Sequence, residues 1–277
     1  MENALYVVAT PIGNLADMVP RAVEILQSVQ LIAAEDTRHS ANLMRHFNVE
    51  TPLLAYHDHS GRGALDRIAA VMESGGAVAL ISDAGTPLIS DPGYRLLQHA
   101  HSQGWKVVPV PGASALITAL SVAGLATDRF RFEGFLSARA VARQRQLESL
   151  AAESATMIFY EAPHRLIATL EAMQAAFGEQ RLVVLARELT KTFETILRLP
   201  VAELLATVRA DSNQSRGEIV LLVDGAAPLP VELGADVERL LVLLADELPP
   251  RKAAAIAASY TGANKKELYN WLVARAD

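Results

Sequence analysis

Three turns in the first half of the sequence combine residues that suit a small, charged ligand. They occupy residues 10–15, 82–87 and 109–114, and each follows an apolar run of β type. Glycine in such a turn lets the backbone approach a ligand closely, and parallel sheets bind ligands beyond the carboxyl ends of their strands. Asp83 in the second turn can pair with an ammonium group. We therefore predict that these turns share one sheet edge and bind a zwitterionic molecule with an apolar end.

The content of the turns argues against a nucleoside triphosphate. The first turn reads Thr-Pro-Ile-Gly-Asn-Leu, so it has neither the Gly-x-x-x-x-Gly-Lys nor the Gly-x-Gly-x-x-Gly pattern. In the third turn, Ser114 begins a predicted helix whose amide groups favour a carboxylate, although Ser114 is equally suited to be a simple N-cap. Asp91-Pro92 is typical of a helix start, so we assign Asp91 to capping and Asp83 to the site.

The elements that must position these turns follow from the hydrophobic pattern. Continuous Val/Ile/Leu runs alternate with amphipathic segments of helical period, which is typical of a parallel sheet covered on both faces. The predicted strands are 5–9, 31–34, 52–55, 77–82 and 107–110, and the predicted helices are 20–29, 40–47, 63–74 and 92–103.

A second set of elements begins near Phe130 and indicates a mixed sheet. Its predicted strands are 130–132, 156–160, 182–187, 193–197 and 217–223, and its helices are 141–151, 166–177 and 201–208. After a Gly/Pro-containing linker the pattern is purely helical, and a tight turn at 260–263 resembles a helix-turn-helix unit. The predicted fold class is α/β, with α/β domains at 1–118 and 119–226 and a small helical domain at 231–277.

Composition excludes several kinds of site. The chain has 277 residues, 51% of them hydrophobic, a net charge of −6 and no cysteine. Disulfides, thiolate zinc sites and a cysteine nucleophile are therefore excluded. No metal-ligand cluster, signal peptide or membrane-spanning run stands out, so we expect a cytoplasmic protein that binds no metal.

Six ordered segments together resemble a known family, the tetrapyrrole methyltransferases. They read LYVVATPIGNL (5–15), AEDTR (34–38), ISDAGTP (81–87), VPGAS (110–114), FYEAPHR (159–165) and RELTK (187–191). The resemblance runs from about Leu5 to Asp224 and is strongest to the ribosomal branch, the small-subunit rRNA cytidine 2′-O-methyltransferases. It implies a dimer of two-domain α/β subunits with S-adenosylmethionine in the cleft between the domains.

The resemblance also implies which residues line the cofactor. They are Thr10, Pro11, Ile12, Gly13, Asp83, Ala84, Gly85, Thr86, Pro87, Gly112, Ala113, Ser114, Ala115, Tyr160, Glu161, Ala162, Pro163, Gly217 and Glu218. The porphyrin-modifying branch carries a Gly-x-Gly-x-Gly-Asp run at the first turn, which this chain lacks. We therefore expect RNA as the substrate, in a small ribosomal subunit or as free RNA. The alternatives are a methyltransferase for a tetrapyrrole or other small molecule, and a non-catalytic RNA-binding protein on the same fold.

Charged residues near the strand ends are the candidates for catalysis. A ribose 2′-hydroxyl is a poor nucleophile at neutral pH, so a base or a cation that stabilises the developing alkoxide would help. Lys191 and Glu188 follow the strand 182–187, and Arg38 ends the second strand of the first sheet beside two acidic residues. Ion pairs that only tie loops together are an equally good interpretation of these charges. We predict that losing Lys191 or Arg38 abolishes methyl transfer but not cofactor binding.

Positive charge is concentrated in two segments that suit RNA phosphates. Residues 129–145 hold five arginines against one acid, and residues 250–277 hold five basic residues against two acids. The candidate RNA-binding residues are His57, Arg139, Arg143, Arg145, Arg165, Lys265 and Lys266. The tail charges are equally typical of a solvated helix face. Tyr260, Tyr269 and Trp271 have helical spacing, so we expect them in the core of the small domain rather than on bases.

Overall fold

The computed structural model describes residues 1–57, 62–227 and 234–275. The chain forms two compact units, Met1–Gly225 and Ala226–Asp277. The start of the helical domain expected at residue 231 lies outside the described residues. In the part of the chain that is described, no helix is both long and apolar enough to cross a membrane.

The first sheet is wholly parallel, as predicted. Its strands are β1 (Leu5–Val8), β2 (Leu31–Ala34), β3 (Leu53–Ala55), β4 (Val78–Ile81) and β5 (Val107–Val110). Their order is β3-β2-β4-β1-β5, so β4, β1 and β5 are neighbours. The three turns that follow these strands therefore share one sheet edge, and this prediction is confirmed.

Alternation along these strands explains why helices cover both faces. Leu5 and Val78 face one apolar cluster, whereas Tyr6 and Ala79 face the cluster on the opposite side. With both faces buried, the strands read as nearly continuous apolar runs. The helices of this half are α1 (Pro20–Ser28), α2 (Thr37–His46), α3 (Arg62–Glu73), α4 (Tyr94–Ser102) and α5 (Ala115–Val122).

The second sheet is mixed, as predicted. Its strands are β6 (Phe130–Phe135), β7 (Thr156–Glu161), β8 (Leu182–Arg187), β9 (Thr195–Pro200) and β10 (Ile219–Val223). In the order β6-β7-β10-β8-β9, only β6 and β7 run parallel. One face packs against α6 (Ala140–Ser149), α7 (Leu166–Phe177) and α8 (Val201–Ala210), through an apolar cluster that includes Phe159.

Helix α5 joins the two sheets in one compact unit. Leu116, Ala119 and Leu120 of α5 pack against Ile158 and Val184 on the other face of the second sheet. The expected domain boundary at residues 118–119 falls inside this helix and stays a prediction.

The C-terminal unit has three helices around a small core. They are α9 (Ala235–Glu247), α10 (Pro250–Thr261) and α11 (Lys265–Ala274). Gly262 ends α10 in the left-handed region at φ 75°, and the Asn264 side chain accepts a bond from Lys266 N to begin α11. The core assignment of two aromatic residues is wrong, because Tyr260 is 83% exposed and Tyr269 is also exposed. Trp271 is half-buried against the core.

Candidate functional site

A cleft of about 440 Å³, the first cleft, lies beyond the ends of β4, β1 and β5. One wall comes from the turns after these strands and the other from β7, β10 and the end of β8. The residues from the first sheet and the start of α5 include Ile12, Asp83, Gly85, Thr86 and Ser114, and those from the second sheet include Tyr160, Ala162, Ala186, Leu189 and Val220. A volume of this size suits a small organic ligand.

Direct hydrogen bonds fix the three turns relative to one another. Thr10 and Gly85 exchange backbone bonds of 2.9 and 3.0 Å, and the Thr86 hydroxyl donates to the Ala113 carbonyl at 3.0 Å. Gly85 adopts φ 82°, which favours glycine. At Gly112, a Cβ atom would lie 2.9 Å from Ala9 Cβ, so the third turn needs a glycine to pack against β1. These bonds and contacts hold the three turns together in one wall.

Five acidic residues line the first cleft, and the charges of three of them, Glu35, Asp83 and Asp91, affect one another. Burial and the neighbouring charge of Asp83 raise the pKa of Glu35. Burial, with the charges of Glu35 and Asp83, raises the pKa of Asp91 to about 6, although a hydrogen bond with Ser82 acts in the opposite direction. A cation in this cleft would relieve the repulsion between these groups.

Asp91 is a site residue, which corrects its assignment to helix capping. Helix α4 begins only at Tyr94, and its N-cap is Gly93 at φ 128°. A Cβ atom on Gly93 would lie 2.9 Å from the Leu80 side chain, so this position packs closely on β4. Leu88 and Ser90 also have positive φ, and the extra turns they form bring Asp91 to the cleft.

The wall at 160–163 is held by a buried ion pair. Glu161 accepts bonds from Ala162 N at 2.7 Å, Arg165 Nε at 2.7 Å and the Thr169 hydroxyl at 2.5 Å. Arg165 also donates to the Leu136 carbonyl at 2.9 Å. These bonds give the Arg165 guanidinium a role inside the fold, and its contact with RNA stays a prediction.

A second cleft of about 310 Å³ adjoins the first and shares four residues with it: Ile12, Asp83, Ala84 and Glu218. The remaining wall comes from the first turn, α2, the end of β4 and the segment after β8, and comprises Pro11, Gly13, Leu15, His39, Ser40, Asn42, Leu43, Ser82 and Lys191.

Lys191 lies in the second cleft between two carboxylates. Its Nζ is 2.8 Å from both Glu188 Oε1 and Glu218 Oε2. Burial disfavours the charge, but the hydrogen bonds to Glu188 and Glu218 outweigh it and raise the pKa of Lys191. The pKa of Glu188 is lowered: burial would raise it, but the bonds from Lys191 and from the Glu218 backbone outweigh that effect. Lys191 is thus an ammonium ion at neutral pH and cannot accept a proton.

Gly13 explains how Lys191 reaches this position. A Cβ atom on Gly13 would overlap the Lys191 stem, since it would lie 2.8 Å from Cε and still closer to Cγ. Glu188 and Thr190 have φ of 51° and 66°, so the segment that carries Lys191 is strained. Glu188, which pairs with Lys191, lines neither cleft, and two further candidates also lie outside both: the Arg38 side chain is 92% exposed beside Asp36, and His57 follows β3.

Most of the expected cofactor residues line the first cleft. These are Ile12, Asp83, Ala84, Gly85, Thr86, Ser114, Ala115, Tyr160, Glu161, Ala162, Pro163, Gly217 and Glu218. Pro11 and Gly13 line the second cleft, whereas Thr10, Pro87, Gly112 and Ala113 line neither. The sequence interpretation missed the apolar part of the wall, which has no motif: Ile89, Phe135, Ala186, Leu189, Ile219 and Val220.

The first basic segment offers less charge to a phosphate than its composition suggests. Arg143 is only 7% exposed, which corrects its assignment to RNA contact. Arg131 pairs with Glu133 and Glu153, each at 2.8 Å. The exposed arginines that remain are Arg129, Arg139 and Arg145.

Three basic residues of the C-terminal unit, by contrast, line a groove. It has a volume of about 580 Å³ and is lined by Arg251, Asn264, Lys265, Lys266 and Tyr269. All five residues are exposed. We call this surface the basic groove.

Comparisons with known proteins agree with this architecture. Residues 4–205 match the family described as tetrapyrrole (corrin/porphyrin) methylases, and residues 231–276 match the RsmI C-terminal HTH domain. Two relatives are each named ribosomal RNA small subunit methyltransferase I. The protein of Pseudomonas aeruginosa is 56% identical, over 99% of this chain and 98% of its own. The protein of Escherichia coli O157:H7 is 52% identical, over 98% of this chain and 94% of its own.

Solved structures share the fold at low sequence identity. A cobalt precorrin-4 methyltransferase of cobalamin biosynthesis superimposes with a TM-score of 0.61 at 18% identity, covering 80% of this chain and 95% of its own. The methyltransferase CobJ gives a TM-score of 0.60 at 19% identity, covering 81% of this chain and 95% of its own.

Proposed function

Because this chain belongs to the tetrapyrrole (corrin/porphyrin) methylase family, we propose that it is an S-adenosylmethionine-dependent methyltransferase that 2′-O-methylates a ribose, that of a cytidine, in small-subunit ribosomal RNA. The observation that carries the proposal is the first cleft, where carboxylates meet an apolar wall, in a chain 56% identical to a ribosomal RNA small subunit methyltransferase.

The residues of the first cleft fit S-adenosylmethionine. Glu35, Asp83 and Asp91 would balance its ammonium and sulfonium charges. At Ser114 the N-terminus of α5 has no side-chain cap bond, so its amide groups can donate hydrogen bonds to the carboxylate. Apolar residues such as Leu189 would hold the adenosine. S-adenosylmethionine held there would supply an electrophilic methyl group to the acceptor hydroxyl, whose proton would pass to solvent.

Within that reaction, Lys191 would act as a fixed cation. Its ammonium group is held by Glu188 and Glu218 at the wall between the clefts, where it can stabilise negative charge that develops on an acceptor oxygen. We therefore assign Lys191 an electrostatic role and Glu188 a positioning role. Arg38, which lies outside both clefts, has no geometric support as a catalytic residue.

For the partners, we propose ribosomal RNA in the cytoplasm and a second copy of this chain. The basic groove supports RNA, because its cations and Tyr269 suit phosphates and bases. Exposed apolar side chains in the N-terminal unit, such as Phe193 and Ile117, support a homodimer. Light scattering that gives the mass of one chain at micromolar concentration would refute the dimer.

We predict that Lys191→Met lowers the turnover of methyl transfer by about 100-fold, because it removes the cation at the acceptor. Cofactor affinity should change little, since Lys191 lies outside the first cleft. The measurement is transfer of radiolabelled methyl to small ribosomal subunits, with calorimetry for binding. Lys106→Met, which breaks the exposed pair of Lys106 with Glu2, is the matched control and should turn over normally. Normal turnover of Lys191→Met would remove the ammonium from the mechanism.

A further inference from the structure

We propose that Arg187 is a positioning residue for methyl transfer, because it anchors the segment that carries Lys191 from the side of the sheet that faces away from the first cleft. This segment, residues 188–194, joins β8 to β9, and we call it the β8–β9 loop. The inference rests on the proposed function, since it gives a role to the residue behind the cation which that function uses.

Arg187 ends β8 and faces away from the first cleft. Along this strand, Val184 and Ala186 belong to the apolar cluster of α5, and Ala186 lines the first cleft. Val183 and Leu185 belong to the cluster beneath α6, α7 and α8, and the alternation of side chains along a strand places Arg187 on their side. Arg187 is buried and lines neither cleft, so any effect on a ligand must pass through other residues.

The Arg187 guanidinium closes the base of the β8–β9 loop. Its Nη2 donates to the Phe193 carbonyl and to the Thr195 hydroxyl, each at 3.0 Å. Thr195 begins β9 and lies opposite Arg187 in the ladder, so these bonds fix the end of the loop to the end of β8. The start of the loop is fixed by a different bond, from Glu188 N to the Glu218 carbonyl at 2.9 Å.

The β8–β9 loop needs such anchors because its backbone is strained. Glu188 and Thr190 have φ of 51° and 66°, in a region that residues other than glycine seldom adopt. A strained backbone persists only where the surrounding structure determines it. Leu189 of this loop lines the first cleft and Lys191 lines the second. A shift of the loop would therefore move a wall of both clefts.

Stability alone does not account for an arginine at this position. The Arg187 Nε is buried and has no hydrogen-bond partner among the residues that the structure describes, which costs free energy. Within those residues, every hydrogen bond of its guanidinium goes to Phe193 or Thr195. The group is thus used to hold the β8–β9 loop, on a face of β8 where the preceding side chains are apolar.

Arg187 also acts on the partner of Lys191. Burial would raise the pKa of the Glu188 carboxyl, but the bonds from Lys191 and from Glu218 N, together with the charges of Lys191 and Arg187, lower it. Arg187 therefore helps to keep Glu188 ionised, and the ionised carboxylate holds the Lys191 ammonium at 2.8 Å. Loss of the guanidinium should loosen Lys191 without removing its charge.

The first test compares Arg187→Met with Arg181→Met. Arg181 immediately precedes β8 at its other end and also donates to two carbonyls, those of Asp224 at 3.0 Å and Ala151 at 3.1 Å. The length of the strand places it about 20 Å from Arg187. At a temperature where both variants are folded, Arg187→Met should lower kcat for small ribosomal subunits at least about 10-fold. Arg181→Met should keep kcat within about two-fold of the wild type.

The second test asks whether Arg187 acts through Lys191. In a protein that already carries Lys191→Met, the further change Arg187→Met should lower kcat by less than about two-fold, because the group that Arg187 positions is gone. A residue that only stabilises the fold would lower kcat by the same factor in both backgrounds. Equal factors would therefore overturn the inference.

A third test needs neither cofactor nor RNA. Brief reductive methylation with labelled formaldehyde, followed by mass spectrometry of peptides, reports how fast each lysine amine reacts. Lys191 should react slowly in the wild type, because Glu188 and Glu218 hold its Nζ. Arg187→Met should speed this reaction at least about five-fold and leave the rate at Lys106, which pairs with Glu2, unchanged. An unchanged rate at Lys191 would overturn the inference.

These outcomes separate the inference from the proposed function. A wild-type protein that methylates no ribosomal RNA would refute the proposed function, and the rate of Lys191 labelling would still decide whether Arg187 holds Lys191. An active wild type whose kcat survives Arg187→Met would overturn the positioning role alone.

Discussion

At the scale of single residues, Asp91 determines how the charge of the first cleft responds to pH. Its carboxyl stands near Glu35 and Asp83, and its pKa is raised to about 6 from an ordinary value of 3.8. Below about pH 6 the cleft therefore loses one negative charge. A cationic ligand binds less well to the protonated form, and in turn favours ionisation of Asp91.

We predict that the dissociation constant for S-adenosylmethionine rises about five-fold between pH 7.5 and pH 5, as one charge interaction is lost. Calorimetry at several pH values measures it. Asp91→Asn should give a flat profile at the weaker affinity. If the dissociation constant of the wild type does not change over this pH range, the conclusion that an ionised Asp91 lies beside the ligand is wrong.

The raised pKa of Asp91 also affects the stability of the fold. The sign of this effect predicts how the stability of Asp91→Asn differs from that of the wild type, and measuring it checks that the variant is folded. Since the pKa of Asp91 is higher in the folded than in the unfolded chain, the protonated group favours folding below about pH 4, and this contribution is lost as the pH rises through about 6. Asp91→Asn should therefore be more stable than the wild type at pH 8, by about 1 to 2 kcal/mol. The full shift corresponds to about 3 kcal/mol, which we reduce because the group is partly open to water.

At the scale of elements, the turn after β7 depends on the buried pair of Glu161 and Arg165. We predict that Arg165→Met lowers the free energy of unfolding by about 3 kcal/mol, because Glu161 is left buried without its counter-ion. Denaturant titration measures this. Arg145→Met, at an exposed arginine, should change it by less than about 0.5 kcal/mol. Equal stability of the two variants would show that the pair does not hold the wall.

The element scale also shows what the sequence could and could not predict. The strands at 31–34, 107–110 and 182–187 were predicted to the residue, because each is a run of mainly apolar residues without helical period. The start of α4 was predicted two residues early, because Asp91-Pro92 fits a helix start locally, whereas in the fold Gly93 is the N-cap and Asp91 lines the first cleft. Local pattern does not report such tertiary contacts.

The prediction of charged surfaces from the sequence has a similar limit. The number of basic residues in 129–145 predicted a surface for phosphates. In the fold, however, Arg143 is buried and Arg131 pairs with two carboxylates. The partner Glu153 lies outside the counted segment, so composition could not reveal the pairing. The apolar wall of the first cleft was missed for a related reason, since residues such as Ile89 and Val220 look like ordinary core until the two sheets are brought together.

At the scale of the whole molecule, an acidic protein needs a local surface for RNA, and the basic groove is the surface that we propose. We predict that Lys265→Glu with Lys266→Glu weakens RNA binding and reduces the slope of log affinity against log salt by about 1 to 2, as up to two phosphate contacts are lost. Filter binding at several salt concentrations measures both. Deletion of residues 230–277 should likewise weaken RNA binding more than cofactor binding.

A control variant separates the effect of the basic groove on RNA binding from the effect of net charge. Arg239→Glu changes the charge of an exposed position on α9, outside the groove. It should leave the salt slope of RNA binding close to that of the wild type. If it weakens binding as much as the lysine variants do, the groove has no special role and only the total charge matters.

The central claim is that this chain methylates a ribose of small-subunit ribosomal RNA, and mass-spectrometric mapping of that RNA tests it most directly. In cells that lack the protein, one 2′-O-methyl group on a cytidine should be missing, and the wild-type gene should restore it while Lys191→Met does not. If the methylation map of cells without the protein is identical to that of normal cells, the account is contradicted.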